Sequence, residues 1–272
     1  MSGPRIHQIF ADLRARQAKA LMPFLTAGDP DLQTTEALIE AAERAGASVC
    51  EIGIPFSDPV ADGPVIQASM TRALDAGLRV QQVFEMVRRV RPKVSLGLLA
   101  MVSYSIVHRF GLQQFVGAAR DAGFDGFIFP DLPLEESADA RQAVQEAGLI
   151  LSMLIAPTTP IERAQEIAAA SSGFVYVVSR SGITGAQSEL PPELPDRLAR
   201  LREVTDLPMA VGFGISSADQ VRAVVSVADA AIVGSALVDH LHQRAGAVGE
   251  AEAFIRSLTE GLTPAPQSAV DR

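Results

Sequence analysis

An acidic residue interrupts an otherwise apolar run, Ser48-Val49-Cys50-Glu51-Ile52-Gly53-Ile54. A strand of this composition reads as buried on both faces, so the Glu51 carboxyl loses solvation whichever way it points. Side chains alternate along a strand, which puts Val49, Glu51 and Gly53 on one face and Cys50 and Ile52 on the other. With the larger apolar pair turned to a layer of helices, Glu51 points inward. An unpaired acid in such a place has a raised pKa, as a general acid requires. The plainer alternative is a structural glutamate satisfied by neighbouring donors, although no lysine or arginine stands nearby to supply them. Further on, Asp62 lies in the loop Pro55-Phe56-Ser57-Asp58-Pro59-Val60-Ala61-Asp62-Gly63-Pro64. Taken alone it reads as a turn or helix-cap residue. The nearby Glu51 and the stiffening prolines make it the second candidate acid.

Three glycine-containing segments suggest where an anion would sit. Gly212-Phe213-Gly214-Ile215-Ser216 and Gly234-Ser235 each follow an apolar run, and Gly182-Ile183-Thr184-Gly185 follows an earlier one. Bare backbone N–H groups and a helix N-terminus hold phosphate in this way. A lone Gly-x-Gly is more often a tight turn, but three such segments in order point to a phosphorylated small molecule.

Other chemistries find little support. The only lysines are Lys19 and Lys93, both preceding strands rather than following them, so a Schiff-base lysine is not expected at the site. Histidine is confined to His7, His108, His240 and His242, and the last two, two apart on a helix, do not share a face. No His/Asp/Glu cluster with metal-ligand spacing follows any strand, so no metal is expected. The single cysteine, Cys50, excludes an internal disulfide.

These groups need a scaffold. Short β-rich runs over 20–25, 48–53, 94–101, 124–129, 150–155, 174–178, 208–212 and 229–233 alternate with helical stretches such as 32–45, 112–122, 135–147 and 161–170. That is the pattern of a parallel sheet with crossover helices. Steps ending at Gly46, Gly123 and Gly148 read as left-handed helix C-caps. No linker divides the eight units, so the expected architecture is α/β, a single (β/α)8 TIM barrel over 1–262. An extra N-terminal helix covers about 6–19 and a last helix about 251–262. The tail 263–272, with two prolines and little hydrophobicity, reads as disordered. An open doubly wound sheet is the alternative, but Thr26-Ala27-Gly28-Asp29-Pro30 is not a dinucleotide turn. In a barrel the active site lies on the loops after the strands, and the loops after strands 7 and 8 recurrently bind phosphate.

The 272 residues suit one such domain, with 48% hydrophobic residues to fill it. A formal net charge of −9 argues against nucleic acid as a partner. No apolar run approaches the roughly 20 residues of a membrane span. No signal peptide is evident, and with one cysteine the expected location is the cytoplasm.

Five segments resemble the tryptophan synthase alpha-chain family: 23–30, 51–64, 130–137, 179–185 and 212–216. The stretch from Glu51 to Pro64 is idiosyncratic enough to be nearly diagnostic alone. The resemblance implies retro-aldol cleavage of indole-3-glycerol phosphate to indole and glyceraldehyde 3-phosphate. It implies Glu51 as the acid/base at indole carbon 3 and Asp62 as the partner of the indole N–H. Phe24 and Phe213 match positions that sandwich the indole, and Tyr176 lines the site, either orienting Glu51 or serving as core. Gly185, Gly214, Gly234 and Ser235 match the phosphate cradle, and Thr184 matches a loop residue that engages Asp62 on closure. The family has no cofactor in this chain and works as an α2β2 complex with a beta chain that carries pyridoxal phosphate. The loop around Asp58 matches the surface facing that partner. One departure stands out: Ser105-Ile106 occupies the place of a common Asn-Pro after strand 3. A free-standing lyase, a phosphosugar isomerase or epimerase, and a non-catalytic activator of the beta chain are the competing readings.

Overall fold

The computed structural model describes residues 4–59, 62–179, 191–212, 214–244 and 247–263. Nine strand segments run β1 Ala20–Thr26, β2 Val49–Gly53, β3 Gly97–Met101, β4 Gly126–Ile128, β5 Ile150–Ser152, β6 Leu154–Ile155, β7 Val175–Val178, β8 Met209–Gly212 and β9 Ala230–Val233. All neighbours pair in parallel, in the order β5-β4-β3-β2-β1-β9-β8-β7-β6. The two ends of that order are consecutive in the chain, separated only by Met153, so the sheet closes on itself. This is the expected (β/α)8 barrel, not an open sheet.

The expected fifth strand is split because its N–H groups are taken by side chains. Ser172 Oγ accepts from Leu151 N–H (2.9 Å) and Ser171 Oγ from Met153 N–H (3.2 Å). The seam is completed by Ser172 N–H donating to Leu151 O (2.8 Å) and Tyr176 N–H to Met153 O (3.1 Å). The third strand starts later than expected, after a 3₁₀ turn at Arg91–Lys93. Arg91 Nη2 there donates to the carbonyls of Val94 (2.6 Å) and Leu96 (2.8 Å).

Helices cover the outside: Leu32–Arg44, Pro64–Asp75, Val80–Val90, Tyr104–Phe110, Leu112–Ala122, Ala138–Glu146, Ile161–Ala170, Leu194–Arg202, Ala218–Val225 and Ser235–Gln243. The stretch expected as one helix over 135–147 is a 3₁₀ turn, Leu134–Glu136, followed by the helix from Ala138. The chain turns at Gly46, Gly123 and Gly148 with φ of 97°, 104° and 73°, as the C-cap reading requires. The last helix, Val248–Thr259, continues as a 3₁₀ turn, Glu260–Leu262. Of the tail expected from Thr263, all but Thr263 lies outside the described residues.

Two buried layers follow from strand alternation. Cys50 and Ile52 join the outer layer between strands and helices, while Val49, Phe24, Leu99 and Tyr176 point into the barrel. The N-terminal helix, Arg5–Ala15, is shorter than expected and closes the bottom of the barrel with Ile6, Phe10 and Leu13. Gly97 permits this docking, since a Cβ there would lie 2.4 Å from Ile6 Cδ1. Lys19 and Lys93 sit before their strands, paired with Asp229 (3.9 Å) and with Glu36 and Glu40 (2.9 Å each).

Gly97→Ala is expected to destabilise the protein by about 1–3 kcal/mol, the usual range for overpacking a core. The loss should shrink when Ile6 is also replaced by Ala, because Ile6 makes by far the closest approach, with Ile9 and Val49 next at 3.3 Å. Urea denaturation of both single variants and the double variant reads the coupling. Equal cost of Gly97→Ala with and without Ile6 would contradict the plug.

Candidate active site

Register on β2 builds the site from its floor. Glu51 pairs with Phe24 on β1 and Leu99 on β3, and its side chain is fully buried inside the barrel. Among the described residues neither carboxyl oxygen has a hydrogen-bond partner. Burial raises its pKa well above the usual carboxylate range, and the charge of Asp62 adds to the rise. Among the described residues, no neighbouring donor satisfies Glu51 as the structural alternative would require.

Asp62 reaches the same cavity from the loop after β2, and burial pushes its pKa up to about 6. Tyr176, on β7, lines that cavity too. Burial first, then the two acids, holds its phenol well above its ordinary value, so it stays a neutral hydroxyl. Two glycines make room for these rings. A Cβ at Gly53 would lie 2.3 Å from Phe24 Cζ, and one at Gly212 2.5 Å from Tyr176 Oη.

The cavity encloses about 1150 Å³, counting its open mouth. Glu51, Asp62, Phe24 and Tyr176 line one part of it with Ile66, Met101, Pro130, Leu154 and Ile232. Gly214, Ser216, Gly234 and Ser235 line another, with Ala236 and Asp239. The helix Ser235–Gln243 starts there with no side-chain cap at Gly234, leaving first-turn N–H groups directed out of the helix end. Gly214 adopts φ 81°, which lets its backbone turn at the rim. The Ser216 N–H is already used, donating to Gln220 Oε1 (2.8 Å).

Glu51, Asp62, Phe24, Tyr176, Gly214, Gly234 and Ser235 are thus brought together. Phe213, Thr184 and Gly185 lie outside the described residues. Residue reasoning did not single out Met101, Leu154 or Ile232, although the alternation that found Glu51 also turns them inward. Asp239 was missed as well; it lies one helical turn beyond Ser235, on the same face.

The altered loop after β3 is well tied. Asp131 accepts from Ser103 Oγ (2.6 Å) and Tyr104 N–H (2.7 Å) at the start of the helix Tyr104–Phe110. Beside it a second cavity, about 660 Å³, is lined by Asp58, Ser103 and Ser105 and shares Asp62, Met101 and Pro130 with the first. Among the described residues no group of three or more His, Cys, Asp or Glu side chains is placed to hold a metal ion.

A closed parallel barrel with two acids in an apolar cavity and an uncapped helix start at its rim defines a barrel enzyme acting on a small, anionic, largely apolar substrate. The sequence profile of the family described as "Tryptophan synthase alpha chain" matches residues 10–263. The chain is 48% identical over 267 residues to the tryptophan synthase alpha chain of Rhodopirellula baltica, covering 97% of this chain and 93% of the relative. The corresponding protein of Chloroflexus aurantiacus is 47% identical over 261 residues, covering 95% and 98%. Among solved structures, tryptophan synthase from Mycobacterium tuberculosis superposes with a TM-score of 0.89 at 32% identity, covering 96% of this chain and 99% of that one. The tryptophan synthase a2b2 complex of Pyrococcus furiosus gives 0.84 at 36% identity, covering 89% and 99%. The chain belongs to the tryptophan synthase alpha-chain family, lyases of tryptophan biosynthesis that cleave indole-3-glycerol phosphate.

Burying an acid raises its folded-state pKa, so its ionisation opposes folding. For Asp62 this cost is absent below the unfolded value near 4, grows as pH rises, and is complete above about 6. Asp62→Asn is therefore expected to raise the melting temperature by a few degrees at pH 8, with the gain shrinking towards pH 4.5. Thermal unfolding at the two pH values checks this; a variant less stable at pH 8 than at pH 4.5, relative to the parent, would contradict it.

Proposed function

We propose that this chain cleaves indole-3-glycerol phosphate with Glu51 as general acid and base and Asp62 as the counter-charge. The observation carrying this reading is Glu51 itself, fully buried with neither oxygen hydrogen-bonded among the described residues, its pKa raised by burial and by the charge of Asp62 in the same cavity. Near neutral pH Glu51 holds a proton while Asp62 is largely ionised.

Protonated Glu51 gives its proton to carbon 3 of the indole. The ring nitrogen becomes cationic, and the Asp62 carboxylate offsets that charge through the N–H. The resulting Glu51 carboxylate takes the proton of the side-chain hydroxyl on the carbon attached to the ring. The carbon–carbon bond breaks, its electrons return to the ring, and the hydroxyl-bearing carbon becomes the aldehyde of glyceraldehyde 3-phosphate. Glu51 ends protonated, ready for the next cycle. Each proton transfer of this kind contributes roughly 10²–10⁴-fold. The steps need only proton movement, so the chain works without a cofactor of its own.

Phe24 and Phe213 hold the indole between them, and Tyr176 lines the site as a neutral hydroxyl. Gly185, Gly214, Gly234 and Ser235 receive the phosphate, which the uncapped helix end favours electrostatically. Thr184, which lies outside the described residues, matches the family residue that engages Asp62. The catalytic unit is 1–262. Its partner is a tryptophan synthase beta chain, the bearer of pyridoxal phosphate, in an α2β2 assembly in the cytoplasm. The a2b2 arrangement named for the Pyrococcus furiosus relative supports the partner. Among the described residues no helix is long and apolar enough to cross a membrane.

Glu51→Gln is expected to abolish turnover, by at least 10²-fold, with glycerol 3-phosphate affinity within about twofold of the parent. Turnover within tenfold of the parent would end the acid/base assignment. The rate should also fall as pH drops through about 6, where Asp62 gains its proton, and fall again where Glu51 loses its own well above the carboxylate range. A profile flat from pH 5 to pH 9 would contradict the division of roles. Indole release assayed with and without beta chain tests the partner, since a free-standing lyase would be indifferent to it.

A further inference from the structure

Gln67 lies on the helix Pro64–Asp75 that begins just after Asp62. Its Nε2 donates to the backbone carbonyl of Asp62 (2.8 Å) and to that of Pro59 (3.2 Å). Both acceptors are carbonyl oxygens, so only the nitrogen of the amide can serve, and its orientation is fixed by chemistry. The Asp62 N–H donates back to the same Pro59 carbonyl (3.0 Å). The side chain of Gln67 thereby clasps the main chain on both sides of the acid.

The helix carrying Gln67 is itself anchored to β1. Ser69 Oγ and Thr26 Oγ1 share a buried hydrogen bond of 2.6 Å. Arg72 makes a two-pronged ion pair with Asp29, 2.9 and 2.6 Å, in the loop directly after β1. β1 is also the strand whose Phe24 pairs with Glu51. A continuous set of contacts therefore runs from the Glu51 layer, through β1 and the helix, to Gln67 and the Asp62 backbone. A loop acid has no strand to hold it, and Gln67 supplies the missing attachment.

We propose that Gln67 is a positioning residue that fixes Asp62 relative to Glu51 and so acts on the chemical step rather than on substrate affinity. The proposal rests on the reading of Asp62 as counter-charge to the protonated indole. Misplacing such a group by about 1 Å costs on the order of 10²-fold in rate.

The test uses Q67M, which keeps the length of the side chain without donors, and Q67K, which keeps donors on an unbranched stem. Q67M is expected to lower kcat about 10–100-fold, with KM for indole-3-glycerol phosphate and glycerol 3-phosphate affinity within about threefold of the parent. Q67K is expected to recover most of that rate, because an ammonium can donate to both carbonyls. Circular dichroism and thermal unfolding of each variant show whether it is folded. Q67M at parental kcat, or Q67K as impaired as Q67M in folded protein, would overturn the inference. Asp62→Asn is assayed alongside: parental turnover there would locate the failure in the reading of Asp62 and not in Gln67.

Discussion

Taking a carboxyl group out of water and giving it no donor is among the more costly things a fold can do, and this barrel does it at Glu51. Burial raises its pKa well above the usual carboxylate range, because the neutral acid is far cheaper to bury than the anion. Everything around it preserves that condition. Strand alternation keeps Phe24, Leu99 and Tyr176 on the same inner layer. The charge of Asp62 pushes the pKa of Glu51 further up rather than down. The proposed chemistry depends on this asymmetry, one acid protonated and one ionised within a single cavity.

The scaffold meets the condition with few devices. Glycines at Gly53 and Gly212 create the space the two rings fill, and Gly97 admits the N-terminal helix that seals the barrel bottom. The hydroxyls of Ser171 and Ser172 satisfy the Met153 and Leu151 N–H groups at the β5–β6 seam, so those two backbone donors are paired where the ring closes. At the mouth the helix ends and loops remain open, which is where a barrel can vary without disturbing its core.

Much of this was legible in the residues. Alternation on β2 put Glu51 inside, and the alternating apolar runs led to the barrel. The glycine-bounded runs after the last two strands led to Gly214, Gly234 and Ser235, which do line the cavity. The seam at Met153 was not legible, because Ile150-Leu151-Ser152-Met153-Leu154-Ile155 is one apolar run and the groups that divide it lie downstream. Gln67 was equally hidden. Nothing in its neighbourhood distinguishes a surface glutamine from one that clasps two carbonyls until the loop and helix are placed together. The ends of helices and strands shifted where side chains competed for backbone groups, as Arg91 does before β3. Phe213, Thr184 and Gly185 rest on the resemblance to the family.

The protonation state of Glu51 is the centre of this account, and infrared difference spectroscopy reads it directly. Parent protein and Glu51→Gln are compared at pH 7.5 in the absence of substrate. A protonated-carboxyl carbonyl band present in the parent and missing in the variant is the expected result. A carboxylate band assigned to Glu51 at that pH would show the buried acid already ionised, and the proposed proton donor would not exist.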